Sequence, residues 1–249
     1  MSYSLAIIFG VLPSIIWLLF YLRKDVHPES NRMVLKIFFY GMLAALPAIF
    51  LEMGIFKTFA KLNLPLIYLA ILNTFVGVAL IEETMKFLVV KEKVLLSSEF
   101  DEPIDALLYM IIAALGFAAS ENILILLGFG SQLFLPQALE ISALRFLGAT
   151  FLHALTSGTV GYFLALSLFK TEKRLKLISL GLLISIVLHG LYNFSIIEIG
   201  GSLKFLIPLT ILIGLAIFIT FGFKRLQKMK SVCRPNFALT KSRRPGKIK

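Results

Sequence analysis

Seven long apolar stretches, separated by short polar segments, dominate the residue pattern of this chain. An α-helix rises about 1.5 Å per residue, so about 20 apolar residues cross the ~30 Å hydrocarbon layer of a bilayer. The two longest stretches, 64–90 and 139–169, exceed this need, which predicts tilt, kinks or interfacial ends. The pattern predicts an all-α fold, a polytopic membrane helical bundle of about seven transmembrane helices at residues 4–22, 34–51, 64–90, 104–127, 139–169, 177–197 and 203–223.

The lysines and arginines between these stretches are unevenly distributed. One set of alternate connections holds Arg23, Lys24, Arg32, Lys36, Lys91, Lys93, Lys170, Lys173, Arg174 and Lys176. The opposite set holds only Lys57, Lys61 and Lys204. Because cytoplasmic connections carry the excess of positive charge, we predict an N-terminus outside and a cytoplasmic C-terminus. We divide the chain into a transmembrane helical domain at 1–223 and a basic cytoplasmic tail at 224–249, which we expect to be disordered.

Composition agrees with a chain that lies mostly within a bilayer. Of its 249 residues 58% are hydrophobic and 16% are charged, and the mean hydropathy is +0.90. Soluble domains carry about a quarter charged residues. The formal net charge of +11 is concentrated beside the apolar stretches and in the tail, so we expect anionic lipid rather than nucleic acid as its partner. The single cysteine, Cys233, excludes an internal disulfide framework.

Ionisable side chains interrupt four consecutive apolar stretches. An ionised side chain near the bilayer centre costs about 2.5–3.5 kcal/mol on insertion scales, so such residues usually have a function. The residues are Glu82, Glu83, Lys86, Glu121, Arg145, His153 and His189. Because carboxylates and imidazoles recur on consecutive predicted helices, we predict that they share one buried polar site.

Helical spacing leaves two interpretations for the acidic residues. Glu82 and Lys86 are four residues apart and share a helix face, so a simple ion pair would explain both. That pair leaves Glu83, about 100° away, without a partner on its own helix, which favours a functional role. Glu121, followed by Asn122, either makes structural hydrogen bonds between helices or belongs to the site.

The histidines and the arginine also need partners. One histidine in a membrane helix is more often hydrogen-bonded structure than a ligand, but His153 and His189 lie on adjacent predicted helices beside acidic ones. His189 shares its helix face with Asn193, four residues later. Arg145 lies nearer the outer end of its stretch, where we expect it to pair with Glu140 or to extend toward the lipid headgroups.

Two kinds of chemistry use buried carboxylates with imidazoles. They bind a divalent metal, or they activate water directly as general base and acid. The sequence has no HExxH zinc helix, GxSxG elbow, Gly-rich phosphate loop or aromatic RNA-binding stripe. An ion- or proton-coupled transporter and a catalytically silent scaffold that binds a partner helix are the alternatives to an enzyme. Transporters often carry inverted repeats, and we find none in the sequence.

Five segments, in this order, resemble the PrsW family of intramembrane proteases. They are EETMK (82–86), FDEPIDALLY (100–109), GFAASENI (116–123), HALTSGTVGY (153–162) and LHGLYNF (188–194). The chain is more distantly similar to the CAAX prenyl-endopeptidase-like membrane proteases. The resemblance implies a multi-pass protein of the cell membrane, an endopeptidase of metallo- or glutamate type that cleaves a membrane-anchored protein such as an anti-sigma factor.

The same resemblance assigns roles to individual residues. The implied catalytic residues are Glu82, Glu83, Glu121, His153, His189 and Asn193, with Lys86 and Asn122 in support. Either Glu82 or Glu83 would activate water, and Asn193 would help as a hydrogen-bond donor. In a metal-dependent mechanism the expected metal is zinc, and the expected ligands are Glu83, Glu121, His153 and His189.

Overall fold

The structure, a computed structural model, describes residues 3–25, 27–97, 99–129 and 134–229, and these contain helices but no strands. Within these residues nine α-helices follow in chain order: α1 (Tyr3–Leu22), α2 (Asn31–Phe59), α3 (Leu66–Ile71), α4 (Ile81–Lys93), α5 (Pro103–Gly128), α6 (Leu135–Leu147), α7 (Ala149–Phe169), α8 (Arg174–Glu198) and α9 (Leu203–Leu226). A π-helical segment, Leu72–Leu80, joins α3 to α4. Short 3-10 turns lie at Ala60–Leu62 and Thr171–Lys173.

Seven helical stretches in the described residues are long and apolar enough to cross a membrane. They are Tyr3–Leu22, Asn31–Leu62, Leu66–Lys93, Pro103–Gly128, Leu135–Phe169, Thr171–Glu198 and Leu203–Leu226. The prediction of an all-α membrane bundle with about seven transmembrane helices is therefore confirmed. The last helix continues to Leu226, beyond the predicted start of the tail at 224, whereas residues 230–249, with Cys233, lie outside the described residues.

Both of the longest stretches are irregular, as their excess length predicts. The third contains the π-helical segment, which ends directly before Ile81 and the two glutamates that follow it. Wider π turns inside α-helices occur often at functional sites. The fifth is broken at Gly148, whose backbone has φ −106° and ψ −95°. A Cβ at Gly148 would overlap the Tyr192 hydroxyl of α8, so the close approach of that side chain requires glycine.

The central helix of the bundle is α5, which packs mainly against α7, α2 and α1. All of its residues from 103 to 119 are buried. A Cβ at Gly116 would overlap the carbonyl oxygen of Phe38, and a Cβ at Gly41 would overlap that of Ala113. The absence of a side chain at Gly116 therefore permits the close packing of α5 against α2. This tight contact between α2 and α5 fixes the position of the polar residues that follow on α5.

The orientation of the bundle in the membrane is a prediction from charge. A reporter fused after Arg32, Lys93, Lys173 or Lys230 should be found in the cytoplasm, because these positions lie in the lysine- and arginine-rich connections and tail. A fusion after Lys61 is the control and should be found outside. The side of the membrane is measured with two reporter enzymes fused at each position, one active only in the cytoplasm and one active only outside. An external location at any two of the first four positions would contradict the predicted topology.

Candidate functional site

Five helices bring the predicted ionisable side chains into one buried cluster. Glu82, Glu83 and Lys86 come from α4, Glu121 from α5, Arg145 from α6, His153 from α7 and His189 from α8. The two histidine rings lie 5.1 Å apart between centroids and are nearly perpendicular. The expected shared polar site therefore exists as a group of side chains in contact.

Lys86 lies at the centre of the cluster and is fully buried. Its ammonium Nζ is 3.1 Å from Glu82 Oε2, 3.0 Å from Glu83 Oε1 and 2.7 Å from His153 Nδ1. The expectation that Glu83 lacks a partner on its own helix is wrong, because a long lysine side chain also contacts the residue three positions before it. One cation therefore contacts both carboxylates of the adjacent pair Glu82 and Glu83, which we call the double glutamate.

The carboxylate of Glu83 is surrounded by hydrogen-bond donors. Its Oε1 lies 2.9 Å from His189 Nδ1 and accepts from the Thr156 hydroxyl at 3.1 Å. Its Oε2 accepts from the Ser157 hydroxyl at 2.9 Å. Thr156 and Ser157 were not among the predicted site residues, although they follow His153 by three and four residues and so share its helix face. Glu83 is thus tied to α4, α7 and α8 at once.

Glu121 connects a histidine to the arginine of α6. Its Oε2 lies 2.8 Å from His153 Nε2 and 3.2 Å from the Arg145 guanidinium. Arg145 also donates to the Asn122 side-chain oxygen. The prediction that Arg145 pairs with Glu140 or extends to the headgroups is wrong. Arg145 instead faces the bundle interior and pairs with Glu121, as charged side chains in membrane helices usually do.

The amide of Asn122 links further helices near the site. Its Nδ2 donates to the carbonyl oxygen of Gly10 on α1 and to the hydroxyl of Thr150 on α7, each at 3.1 Å. Together with the bond from Arg145, this side chain connects α1, α5, α6 and α7. The role of Asn122 in supporting the site stays a prediction.

A cavity of about 360 Å³ exposes part of this cluster. Its polar lining consists of Glu82, Glu121, Arg145, His153, His189 and Asn193. Glu83 and Lys86 are fully buried behind this lining. Glu121 lies seven residues before the end of α5 and His189 nine before the end of α8, which is about 10–14 Å of helix. The cavity therefore lies nearer the predicted outer ends of α5 and α8, whereas Glu82 lies eleven residues from the predicted cytoplasmic end of its own span, Leu66–Lys93.

Three side chains in the cavity could hold a metal ion. Donor atoms of Glu82, His153 and His189 all lie within 4.8 Å of one another, with Glu82 Oε2 at 3.6 Å from His153 Nδ1 and 3.9 Å from His189 Nε2. One carboxylate with two imidazoles is a known ligand set of catalytic zinc. The second nitrogen of each histidine contacts a carboxylate, Glu121 for His153 and Glu83 for His189, as metal-binding histidines commonly do.

This geometry differs from the predicted ligand set. Glu83 and Glu121 were expected to bind the metal, but they contact the histidine nitrogens that face away from the three-residue group. Lys86 lies 2.7 Å from His153 Nδ1, so metal binding at that nitrogen requires this contact to open. The donor set otherwise fits a divalent cation.

The FDEPIDALLY segment lies away from the site, at the opposite end of α5. Asp105 accepts hydrogen bonds from the backbone N–H groups of Asp101 at 3.0 Å and Glu102 at 2.7 Å. The carboxylate therefore satisfies donors at the start of the helix. Sixteen residues of α5, about 24 Å, separate Asp105 from Glu121.

Comparison with known proteins identifies the family. Residues 29–221 match the family described as PrsW family intramembrane metalloprotease. The chain belongs to the PrsW family. Protease PrsW of Geobacillus kaustophilus (strain HTA426) is 31% identical over 195 residues, 76% of this chain and 78% of that protein. Protease PrsW of Bacillus subtilis (strain 168) is 28% identical over 226 residues, 90% of this chain and 94% of that protein. No solved structure matches the chain significantly.

PrsW membership confirms the predicted class of enzyme. The chain is an intramembrane protease and a multi-pass membrane protein, and it belongs to a family of metalloproteases. The buried glutamate and histidine cluster fits the site of such an enzyme. Family membership therefore favours the peptidase over the transporter and the silent scaffold that the sequence alone left open.

Proposed function

We propose that this PrsW-family protease hydrolyses a peptide bond of a membrane-anchored protein in the cavity lined by Glu82, Glu121, His153 and His189. The observation that carries the proposal is the convergence of Glu82, His153 and His189 donor atoms within 4.8 Å, beside a cavity large enough for a short piece of extended chain. Peptide hydrolysis needs a water, a group that takes its proton, and donors for the developing oxyanion.

Glu82, His153 and His189 would hold the metal, which we propose to be zinc. When bound, zinc polarises a carbonyl oxygen and lowers the pKa of water. Glu83 positions His189 through the contact with Nδ1, and Glu121 positions His153 through Nε2. Carboxylates in this position fix the ring orientation and the tautomer of a histidine ligand.

We assign the role of general base to Glu121. Its side chain is 20% exposed, compared with 5% for Glu82 and 0% for Glu83, so it is the carboxylate of the three that water reaches most easily. As the water oxygen bonds to the substrate carbonyl carbon, the Glu121 carboxylate takes the proton. The same group can then return this proton to the leaving amine nitrogen as the C–N bond breaks.

Two further side chains of the cavity would stabilise the oxyanion. Asn193 presents an amide N–H and Arg145 a guanidinium, and both line the cavity. Donors held in place by the protein stabilise negative charge in the transition state without reorganisation. The bonds from Arg145 to Glu121 and Asn122 fix its direction before a substrate arrives.

The substrate we propose is a protein with one membrane span, cut near the outer end of that span. The site lies about 10–14 Å of helix from the ends of α5 and α8, which the predicted topology places outside. Among such proteins, an anti-sigma factor is the candidate suggested by resemblance to the family.

Purified protease in lipid nanodiscs should be incubated with a panel of single-span proteins, including anti-sigma factors, and the cleavage products identified by mass spectrometry. Cleavage confined to soluble segments far from the span would contradict the proposal.

Substitution of each member of the double glutamate should separate their roles. Glu82→Gln should lower bound zinc from about one per chain to near zero, because an amide is a poor ligand beside two imidazoles. Glu83→Gln should keep most of the zinc with reduced affinity, about 10–100-fold for loss of an outer partner of a histidine ligand. Elemental analysis of the purified variants gives their zinc content, and titration with zinc gives their affinity. Equal zinc affinity in Glu82→Gln and wild type would contradict the assigned ligand set.

A further inference from the structure

A second and larger cavity, of about 530 Å³, lies between α1 and α9. We call it the α1–α9 groove. Aromatic side chains line it together with the residues that define it, which are Ile16, Trp17, Lys24, Ala216, Thr220 and Lys224. No residue of the metal-binding group or of the double glutamate lines it. The chemistry of the proposed active site therefore does not explain this groove.

The groove has the length of one leaflet of a bilayer. Lys24 follows Ile16 by eight residues and lies in the turn two residues after the end of α1, and Lys224 follows Ala216 by eight residues along α9. Eight residues of helix rise about 12 Å, close to half of the ~30 Å hydrocarbon layer. A spanning protein helix would need a groove of twice this length, whereas an acyl chain of a single lipid fits within it.

Aromatic rings form the walls of the groove. The Trp17 ring stacks on Phe151 with centroids 4.1 Å apart, and Tyr21 stacks on Phe223 at 5.9 Å. The indole N–H of Trp17 already donates to the carbonyl oxygen of Phe146 at 2.9 Å. Because this donor is satisfied inside the protein, the wall presents carbon surface to an occupant. Such a wall favours hydrocarbon over a polar ligand.

Positive charge marks only one end of the groove. Lys24 and Lys224 are exposed and both line this end, which is the predicted cytoplasmic end. The side-chain amide of Gln227 donates to the carbonyl oxygen of Lys24 at 2.6 Å, so the ends of α1 and α9 are tied together there. Two lysines at the level of the headgroups, above an apolar channel of leaflet length, complement an anionic phospholipid.

We propose that the α1–α9 groove binds one anionic phospholipid of the cytoplasmic leaflet. An acyl chain lies along Trp17 and Phe223, and the headgroup phosphate lies between Lys24 and Lys224. The inference is independent of the proposed catalytic roles, because the groove shares no residue with the assigned ligands or base.

The test uses the full chain in detergent micelles, with phosphatidylglycerol and zwitterionic phosphatidylcholine titrated in turn and bound lipid counted by native mass spectrometry. Wild type should bind one phosphatidylglycerol in preference to phosphatidylcholine. The double variant Lys24→Gln/Lys224→Gln should lose about thirtyfold in affinity for phosphatidylglycerol, the effect of two lysines at a membrane surface. Its affinity for phosphatidylcholine should stay near the wild-type value. Thr220→Trp, which fills the groove, should weaken binding of both lipids.

The matched control is Lys57→Gln/Lys61→Gln, which removes two exposed lysines at the other side of the bundle and should leave lipid affinity unchanged. Equal affinity of wild type for the two lipids, or an equal loss in the control, would overturn the proposal. So would a photo-crosslinker at Thr220 that captures a second copy of the chain or a single-span substrate instead of lipid. These measurements follow lipid affinity and not cleavage. A result against lipid binding in the groove would therefore leave the proposed active site untouched.

Discussion

Glu121→Gln is expected to lower the rate of substrate cleavage by about 10²–10⁴-fold, the usual contribution of a general base. Glutamine has nearly the same shape and can still accept a hydrogen bond from His153, but it cannot take a proton from water. The variant should fold and still bind about one zinc per chain at saturating zinc, because Glu121 lies outside the group of Glu82, His153 and His189. Its zinc affinity should fall about 10–100-fold, as for Glu83→Gln, because Glu121 is the outer partner of His153. Single-turnover cleavage of a reconstituted single-span substrate measures the chemical step directly.

The control for this substitution is Glu140→Gln, the same change at an exposed position of α6. It should leave both cleavage and zinc content near wild type. A normal cleavage rate in Glu121→Gln would remove Glu121 from the chemistry. Failure of Glu121→Gln to bind zinc even at saturating concentrations would instead make Glu121 a ligand, as the resemblance first implied, and would contradict its role as base.

Lys86→Met should lower the free energy of unfolding of the metal-free protein by about 3–5 kcal/mol, the cost of removing one partner from a buried ion pair. Lys86 Nζ contacts Glu82, Glu83 and His153, and none of these has more than 5% of its side chain exposed. Without the ammonium, two carboxylates remain in an apolar bundle without their cation. Zinc should restore part of the stability, because it neutralises Glu82.

The free energy of unfolding is measured in mixed micelles, with circular dichroism as the signal that reports the loss of helix. The double variant Lys86→Met/Glu83→Gln should be more stable than Lys86→Met alone, because it also removes the uncompensated charge. Lys91→Met, a substitution at an exposed position of the same helix, should stay within about 0.5 kcal/mol of wild type. A loss in Lys86→Met no larger than in this control would show that the buried cluster does not depend on the lysine.

The seven spans could be predicted from sequence because apolar length is a local property. Each predicted stretch overlaps one of the seven spans of the structure, and the two longest contain the π-helical segment and the break at Gly148. The convergence of Glu82, Glu121, His153 and His189 also followed from sequence, because isolated charges in a membrane need one another. The length of a stretch, however, does not say where an irregularity falls.

The details of the site depend on contacts between helices, which spacing does not give. Glu82 and Glu83 are neighbours about 100° apart, and only the packing of α7 and α8 decides that Glu82 faces the cavity. The inward direction of Arg145 is likewise a matter of tertiary contact, because its partners Glu121 and Asn122 lie on a different helix, α5. The choice of metal ligands depends on which nitrogen of His153 and of His189 faces Glu82, a fact of tertiary structure.

Removing the metal with a chelator and then returning zinc shows whether hydrolysis depends on a metal held at Glu82, His153 and His189. The purified protease in nanodiscs would be stripped with a chelator, and cleavage of a single-span substrate would be followed while zinc is returned in measured amounts. The expected result is that cleavage disappears with the metal and returns as about one zinc per chain binds, while His153→Ala and His189→Ala neither bind zinc tightly nor recover cleavage. Full cleavage by protein that contains no metal would contradict it.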